Sequence, residues 1–239
     1  MLEVKNISSG YGKKQVLFDV SFTVGDNEIV LLTGGNGSGK STVLRCIYGL
    51  LPLWHLQLKT QHLTLNTHNS QLSTQNLALK THNYGSMTFD GTDLTKFRTS
   101  EMVKQGIVYI PQKNNYFESL TVHENLIVSG STYSNDVIKQ REQDVYRLPK
   151  LYEYRNRTPF NLSGGERQLL ALGNALMHKP KLILFDEPFA GLDEANTKIM
   201  IDELLKLKQQ KIAMLIVEHK QTFNTFADKE LKMYLGKLI

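Results

Sequence analysis

Residues 34–42 read Gly-Gly-Asn-Gly-Ser-Gly-Lys-Ser-Thr, a run in which nearly every residue type has a use if a phosphate is to be held. Gly34, Gly35, Gly37 and Gly39 let successive backbone N–H groups turn inward around an anion, where a Cβ would obstruct them. Asn36 and Ser38 stand between them, and Lys40 can reach the β- and γ-phosphates of a nucleotide. The Ser41 hydroxyl is suited to Mg²⁺, and Thr42 carries the chain on into a helix. The G-x-x-x-x-G-K-[ST] pattern acquires meaning only between a strand and a helix. An apolar run, Ile29 to Leu32, precedes it, and the amphipathic stretch Val43 to Tyr48 follows and stops at Gly49. A helix starting there adds unpaired N–H groups and roughly half a positive charge to the anion site.

Four other places carry residues with chemical potential. Leu162-Ser163-Gly164-Gly165-Glu166-Arg167-Gln168 sets Ser163 and Glu166 at the spacing of a capping box, so a helix is expected to start there and run to Lys179-Pro180. Two glycines in a first turn weaken a helix, and they make sense if something, most naturally an anion, approaches that backbone closely. The buried strand Lys181 to Phe185 ends in Asp186-Glu187. Asp186 is then placed to hold the Mg²⁺ shell and Glu187 to orient or deprotonate a water, although taken alone the pair is only an acidic turn. Gln112 follows the β-branched strand Ile107 to Ile110, and His219 follows the strand Ile212 to Val217 through Glu218. Gln112, Glu187 and His219 thus come from three strand ends, the edge at which open α/β sheets put their ligand chemistry.

The elements that must position these groups can be read around them. Residues 2–8 and 16–24 suggest two strands joined by a turn containing Gly10 to Lys13. Tyr11 lies in that turn, where its ring can either stack on a base or pack on its own hairpin, and spacing favours the hairpin. Asp26-Asn27 turns the chain into the strand before the glycines. Residues 85–91 suggest a further strand and turn, and a helix around Ser100 to Gln105 has Ser100 as a plausible cap. Segments 121–129 and 136–147 look helical. Gly191-Leu192-Asp193 starts a helix to about Gln209, with Ile199, Leu204 and Leu205 facing inward, and residues 232–239 suggest a last strand pair.

Composition bounds the remainder. The 239 residues are 41% hydrophobic and 21% charged, which suits one large domain or a compact pair of subdomains. The apolar runs are strand-sized, far short of a membrane span, and no basic-then-apolar leader precedes Leu2, so no secretory signal is expected. The single cysteine, Cys46, cannot form an internal disulfide and reads as a small buried residue. A net charge of +5 permits anionic partners without arguing for them.

Residues 55–82 differ in kind: a seven-residue unit is repeated four times there, with leucines two and then five apart. That is not the spacing of a coiled coil, and Thr, Gln and Asn fill most other places. Four of the seven histidines, His55, His62, His68 and His82, lie in it, and copying of the unit explains them better than metal binding. A tolerated insertion over 54–84 is expected. Residues 141–157 mix Arg141, Arg147, Arg155 and Arg157 with Tyr146, Tyr152 and Tyr154; a solvated helical face or protein-docking surface is favoured over nucleic acid.

Taken in order, the phosphate loop, Gln112 after a strand, LSGGERQ, the apolar strand with Asp186-Glu187, Gly191-Leu192-Asp193 and the late His219 resemble the ATP-binding cassette (ABC) ATPases. The likeness covers the whole chain outside the insertion. It implies an α/β fold: a P-loop NTPase with a RecA-like, mostly parallel sheet, an antiparallel β-subdomain and an α-helical subdomain over 113–172, all within one domain, 1–239. It also makes Tyr11 the adenine-stacking aromatic, the opposite of what spacing favours. By the same resemblance Gln112 senses Mg²⁺, the attacking water and the transport partner. Ser163, Gly164, Gly165 and Glu166 would face ATP held by a second subunit. Glu187 is the implied base, Asp193 crosses the dimer interface, and His219 clasps the γ-phosphate. Implied cofactors are ATP and Mg²⁺, the latter held by Ser41, Gln112 and Asp186. Residue 35 is Gly where Pro or Ala is usual, a departure expected to be harmless.

The job implied is that of a cytoplasmic ATPase subunit, peripheral at the membrane, which dimerises head to tail and drives separate transmembrane permease subunits; nucleic acid is not an expected partner. Gly106 to Gln112, Leu120 to Leu126 and Leu169 to Met177 look most like the branched-chain amino-acid importer group, and lipopolysaccharide-export ATPases are similar over the same stretches. The alternative is a soluble ABC ATPase without a membrane partner, acting in regulation, iron–sulfur assembly or translation.

Overall fold

The computed structural model describes residues 1–54, 85–113, 115–219 and 225–239; the repeat at 55–82, and the expectation of a tolerated insertion there, lie outside the described residues. The chain opens with β1 (Leu2–Tyr11) and β2 (Lys14–Val24), an antiparallel hairpin longer than the sequence suggests, with Tyr11 and Lys14 as its last pair. The short β3 (Ile29–Thr33) leads through the glycine-rich loop into α1 (Lys40–Ile47). Next come β4 (Ser86–Phe89), β5 (Thr92–Asp93), α2 (Thr99–Met102) and β6 (Ile107–Ile110). The helical stretch α3 (Val122–Ser129), α4 (Asn135–Val145) and α5 (Gly164–Leu176) follows. The chain closes with β7 (Leu182–Asp186), α6 (Glu194–Gln209), β8 (Ala213–Glu218), β9 (Lys229–Tyr234) and β10 (Lys237–Leu238).

Two sheets result. One is antiparallel, in the order β2-β1-β4-β5; the other runs β10-β9-β3-β8-β7-β6, with its central strands parallel. This is the mixed α/β arrangement anticipated from the motifs. The central strands are apolar along their whole length because both faces are covered. Alternation then divides their side chains between two cores. Ile29, Leu31, Ile183, Phe185, Met214 and Ile216 pack with α3 to α6. Val30, Leu32, Leu182, Leu184, Leu215 and Val217 pack with α1 and the antiparallel sheet. Cys46 is fully buried in the second core, and burial pushes its thiol up to about 11, away from reactivity at neutral pH. Among the described residues, no helix is long and apolar enough to cross a membrane.

Two local expectations are corrected. The short helix near residue 100 begins at Thr99, and the backbone N–H of Arg98, not a cap at Ser100, is taken up by the Glu101 carboxylate at 2.9 Å. A single turn of 3₁₀ helix, Val103–Gln105, then completes it. The last strand pair starts at Lys229, three residues earlier than the sequence suggests, because Asp228 anchors it by accepting from the Ile29 N–H at 2.8 Å.

Candidate nucleotide site

The loop between β3 and α1 is shaped by its glycines. Gly34 has φ 152°, and a Cβ there would strike the Met233 carbonyl of the neighbouring strand. A Cβ at Gly35 meets nothing within 4 Å among the described residues, so an Ala there would find open space. The first turn of α1 has no side-chain cap and no acidic residue, which leaves its N–H groups for an outside anion. The Ser38 hydroxyl is buried without a hydrogen-bond partner among the described residues, a polar atom whose desolvation is offset when something polar binds.

Lys40 is buried, and its ammonium has three donors, all engaged. It donates to the Gly34 carbonyl at 2.7 Å and the Gly35 carbonyl at 3.0 Å, and it lies 3.2 Å from His219 Nδ1. An ammonium cannot accept, so Nδ1 must be the unprotonated nitrogen of His219. Nε2 then carries the proton and donates it to Glu187 Oε1. The other oxygen of that carboxylate, Oε2, accepts from the Gln112 amide. The three strand ends therefore meet, as their places in the sequence require, with Glu187 at the centre. Glu187 itself has φ 55°, a left-handed conformation costly for a residue with a Cβ, while its N–H stays tied to the Val217 carbonyl at 3.0 Å. Burial lowers the Lys40 ammonium from its ordinary value, although Glu187, Asp186 and Glu218 oppose this.

Behind Lys40, the Ser41 hydroxyl donates to Asp186 Oδ1 at 2.8 Å. Gln112, expected as a further ligand beside this pair, donates its amide N–H to Glu187 Oε2, a bond that does not involve its carbonyl oxygen. Tyr11 lines the same cleft beside Lys14, Gln15 and Val16 of its hairpin, is 42% exposed, and accepts from Arg45 through its hydroxyl at 2.9 Å. The cleft, about 730 Å³, runs from Tyr11 and Val16 past Gly37 and Ser41 to Gln112, Glu187 and His219. That volume and its polar end suit a nucleotide.

Ser163, Gly164, Gly165, Glu166 and Asp193 do not line this cleft. The capping box is formed as expected: Ser163 Oγ accepts from the Glu166 N–H at 3.3 Å, and the Glu166 carboxylate accepts from the Ser163 N–H at 2.8 Å. Ser163 is exposed and keeps its hydroxyl proton free of that box. Gly165 has an explanation within the chain that the sequence could not supply. A Cβ there would lie 2.6 Å from the Asn196 amide, whose helix Asp193 caps by accepting from the Asn196 N–H at 2.7 Å. Close approach within the chain thus explains Gly165 but not Gly164, where a Cβ would meet only ordinary contact at 3.7 Å.

Glu218 reads in the sequence as no more than a spacer before His219. It is buried, and its carboxylate accepts from the Phe189 N–H at 3.0 Å and the His219 N–H at 3.2 Å, so it pins the loop after Glu187 to β8. Burial, together with the Glu187 and Asp186 charges, pushes its carboxyl from 4.5 up to about 7. Between those values the folded protein keeps a proton that the unfolded chain releases. Its contribution to stability is therefore full below about pH 4.5 and is lost as pH rises through 7, on the order of 3 kcal/mol in all. Glu218→Gln should flatten this part of the profile: urea midpoints measured on nucleotide-free protein in EDTA should fall less between pH 5 and 8 than in the parent. Parallel profiles for the two would refute the assignment.

Comparison with known proteins agrees with this geometry. The family model described as "ABC transporter" matches residues 17–190. A probable branched-chain amino acid transport ATP-binding protein, LivF of Archaeoglobus fulgidus, is 33% identical over 220 residues, spanning 91% of this chain and 81% of its own length. The high-affinity branched-chain amino acid transport ATP-binding protein BraG of Pseudomonas aeruginosa is likewise 33% identical, over 91% of this chain and 82% of its own. Among solved structures, the ADP conformation of MJ1267, an ATP-binding cassette of an ABC transporter, superposes with a TM-score of 0.81 at 26% identity, covering 100% of this chain and 89% of that one.

Proposed function

The chain belongs to the ABC transporter family as an ATP-hydrolysing cassette, and we propose that two copies close head to tail around two ATP molecules to drive separate membrane-spanning subunits from the cytoplasmic face. The observation that carries this reading is a division within one molecule. Lys40, Glu187 and His219 sit in one cleft, while the helix start formed by the exposed Ser163, the half-buried Gly164 and the buried Gly165 lies outside it. A second copy supplies what the cleft lacks, an additional helix N-terminus for the γ-phosphate. LivF and BraG, transport proteins by name, support a membrane partner and a small solute such as an amino acid.

Within each cleft, Tyr11 stacks on the adenine and the loop N–H groups take the β-phosphate. Lys40 exchanges part of its hold on the Gly34 and Gly35 carbonyls for phosphate oxygens. Ser41 and Asp186 offer two hard oxygens, which fits Mg²⁺, an ion that takes one or two protein ligands and completes its shell with phosphates and water. Bound there, Mg²⁺ supplies neutralisation of charge on the β- and γ-oxygens. Glu187, oriented by Gln112 and His219, accepts a proton from the water that attacks the γ-phosphorus, while the bond to the bridging oxygen breaks and ADP leaves with that electron pair. The partner's helix start faces the γ-oxygens, and the exposed His219 ring stands at the same end of the cleft. Loss of the γ-phosphate removes what joins the copies, and they part.

Light scattering tests the arrangement. With a non-hydrolysable ATP analogue and Mg²⁺ the protein should reach twice its monomer mass. Ser163→Arg should remain monomeric while binding the analogue within about threefold of the parent affinity, because its own cleft is intact. A Ser163→Arg variant that dimerises like the parent would overturn the head-to-tail reading. The tagged chain, purified from its native membranes in mild detergent, should carry a multi-span membrane protein with it.

A further inference from the structure

Residues behind the cleft form a continuous polar chain that no motif contains. Arg45, on α1, donates to the Tyr11 hydroxyl at 2.9 Å and reaches the Tyr109 hydroxyl as well. Tyr109, on β6, lies 3.2 Å from Asp186 Oδ2, whose other oxygen is held by Ser41. Sheet register explains the reach. Tyr109 stands opposite Leu184, and Asp186 lies two residues further on the same face, a diagonal that a phenol can span. The Tyr109 ring is half-buried and braced by Tyr48, with centroids 5.6 Å apart.

The direction of these bonds is fixed by valence. A guanidinium has donors only, so both phenols accept from Arg45. Tyr109 then has one proton left, and the Asp186 carboxylate is where it goes. Accordingly, we propose that Tyr109, oriented by Arg45, is a positioning residue that locks the Asp186 carboxylate in place for Mg²⁺ and ties the metal side of the cleft to the base-stacking Tyr11. This rests on the nucleotide reading above and deepens it. A carboxylate free to rotate must be ordered at the moment of metal binding; one already held by a phenol and a hydroxyl need not be.

Titration of the protein with a fluorescent ATP analogue, in EDTA and at graded Mg²⁺, separates the two contributions without relying on turnover. Tyr109→Phe keeps the ring and its contact with Tyr48. It should bind the analogue in EDTA within about twofold of the parent yet need roughly tenfold more Mg²⁺ for half of the metal-dependent gain, the lower end for an outer partner of a metal ligand. Arg45→Met should show the same Mg²⁺ shift plus a loss in EDTA, because it also releases Tyr11. In the double variant the Mg²⁺ shift should equal that of either single one. An unaltered Mg²⁺ requirement in Tyr109→Phe, or additive shifts in the double variant, would overturn the positioning role. A parent protein that gains no affinity from Mg²⁺ at all would instead overturn the metal reading of Ser41 and Asp186. Melting temperatures taken alongside identify a variant that has simply failed to fold.

Discussion

Glu187→Gln should bind ATP at least as well as the parent and turn it over about 10² times more slowly or worse, the usual scale for loss of a positioned general base. The geometry makes the substitution unusually clean. One oxygen of Glu187 takes the Gln112 amide and the other takes His219 Nε2–H. An amide at this position can keep one of these bonds through its oxygen, and its NH₂ meets a donor at the other. The side chain stays in the same place but has lost both the charge and the ability to accept a proton from water. Removing a negative charge beside Lys40 also leaves the ammonium less neutralised, which favours an anionic nucleotide. Slow turnover with retained affinity should therefore appear as an accumulated ATP-bound dimer. Phosphate release in a single-turnover experiment is the measurement, and a rate equal to that of the parent would sink the base assignment.

That Glu187 stands out in the sequence alone reflects where the chemistry sits. A parallel strand buried on both faces writes itself as an uninterrupted apolar run, and the first polar residues after it are necessarily at the sheet edge. Gln112, Asp186, Glu187 and His219 all follow such runs, and the glycine-rich loop follows another, so one periodicity argument finds five pieces of the cleft. What stays hidden depends on residues far apart in the chain. Gly165 is small because Asn196, thirty-one positions away, packs on it. Glu218 looks like any carboxylate at a strand end until the loop carrying Phe189 closes over it. Arg45 and Tyr109 fall on an ordinary helix and an ordinary strand; only the register of β6 against β7 brings the phenol to Asp186. Helix ends are obscured for a similar reason. Ser100 has a good capping side chain, but Glu101 reaches back to Arg98 and moves the start one residue earlier. Local pattern locates elements, and contacts across elements decide their last residues.

Lys40→Ala should abolish nucleotide binding at concentrations where the parent is saturated, a loss of at least about 10²-fold. Two effects act in the same direction. The ammonium that would meet the phosphates is gone, and charge-assisted bonds of this kind in a buried site contribute about 1.5–3 kcal/mol apiece. In addition, Asp186, Glu187 and Glu218 all act on Lys40, so its removal leaves three carboxylates uncompensated at or behind the cleft that a polyanion must enter. Repulsion by its neighbours then raises the proton affinity of Glu218, already at about 7, further. Nucleotide-free Lys40→Ala should consequently be less stable than the parent at pH 8 and recover part of the difference at pH 5, where Glu218 is protonated. Lys40→Arg should not rescue binding, because a planar guanidinium cannot direct donors to the Gly34 carbonyl, the Gly35 carbonyl and His219 Nδ1 as an ammonium does. A binding titration decides it: affinity within threefold of the parent in Lys40→Ala would mean that this loop is not where the phosphates go.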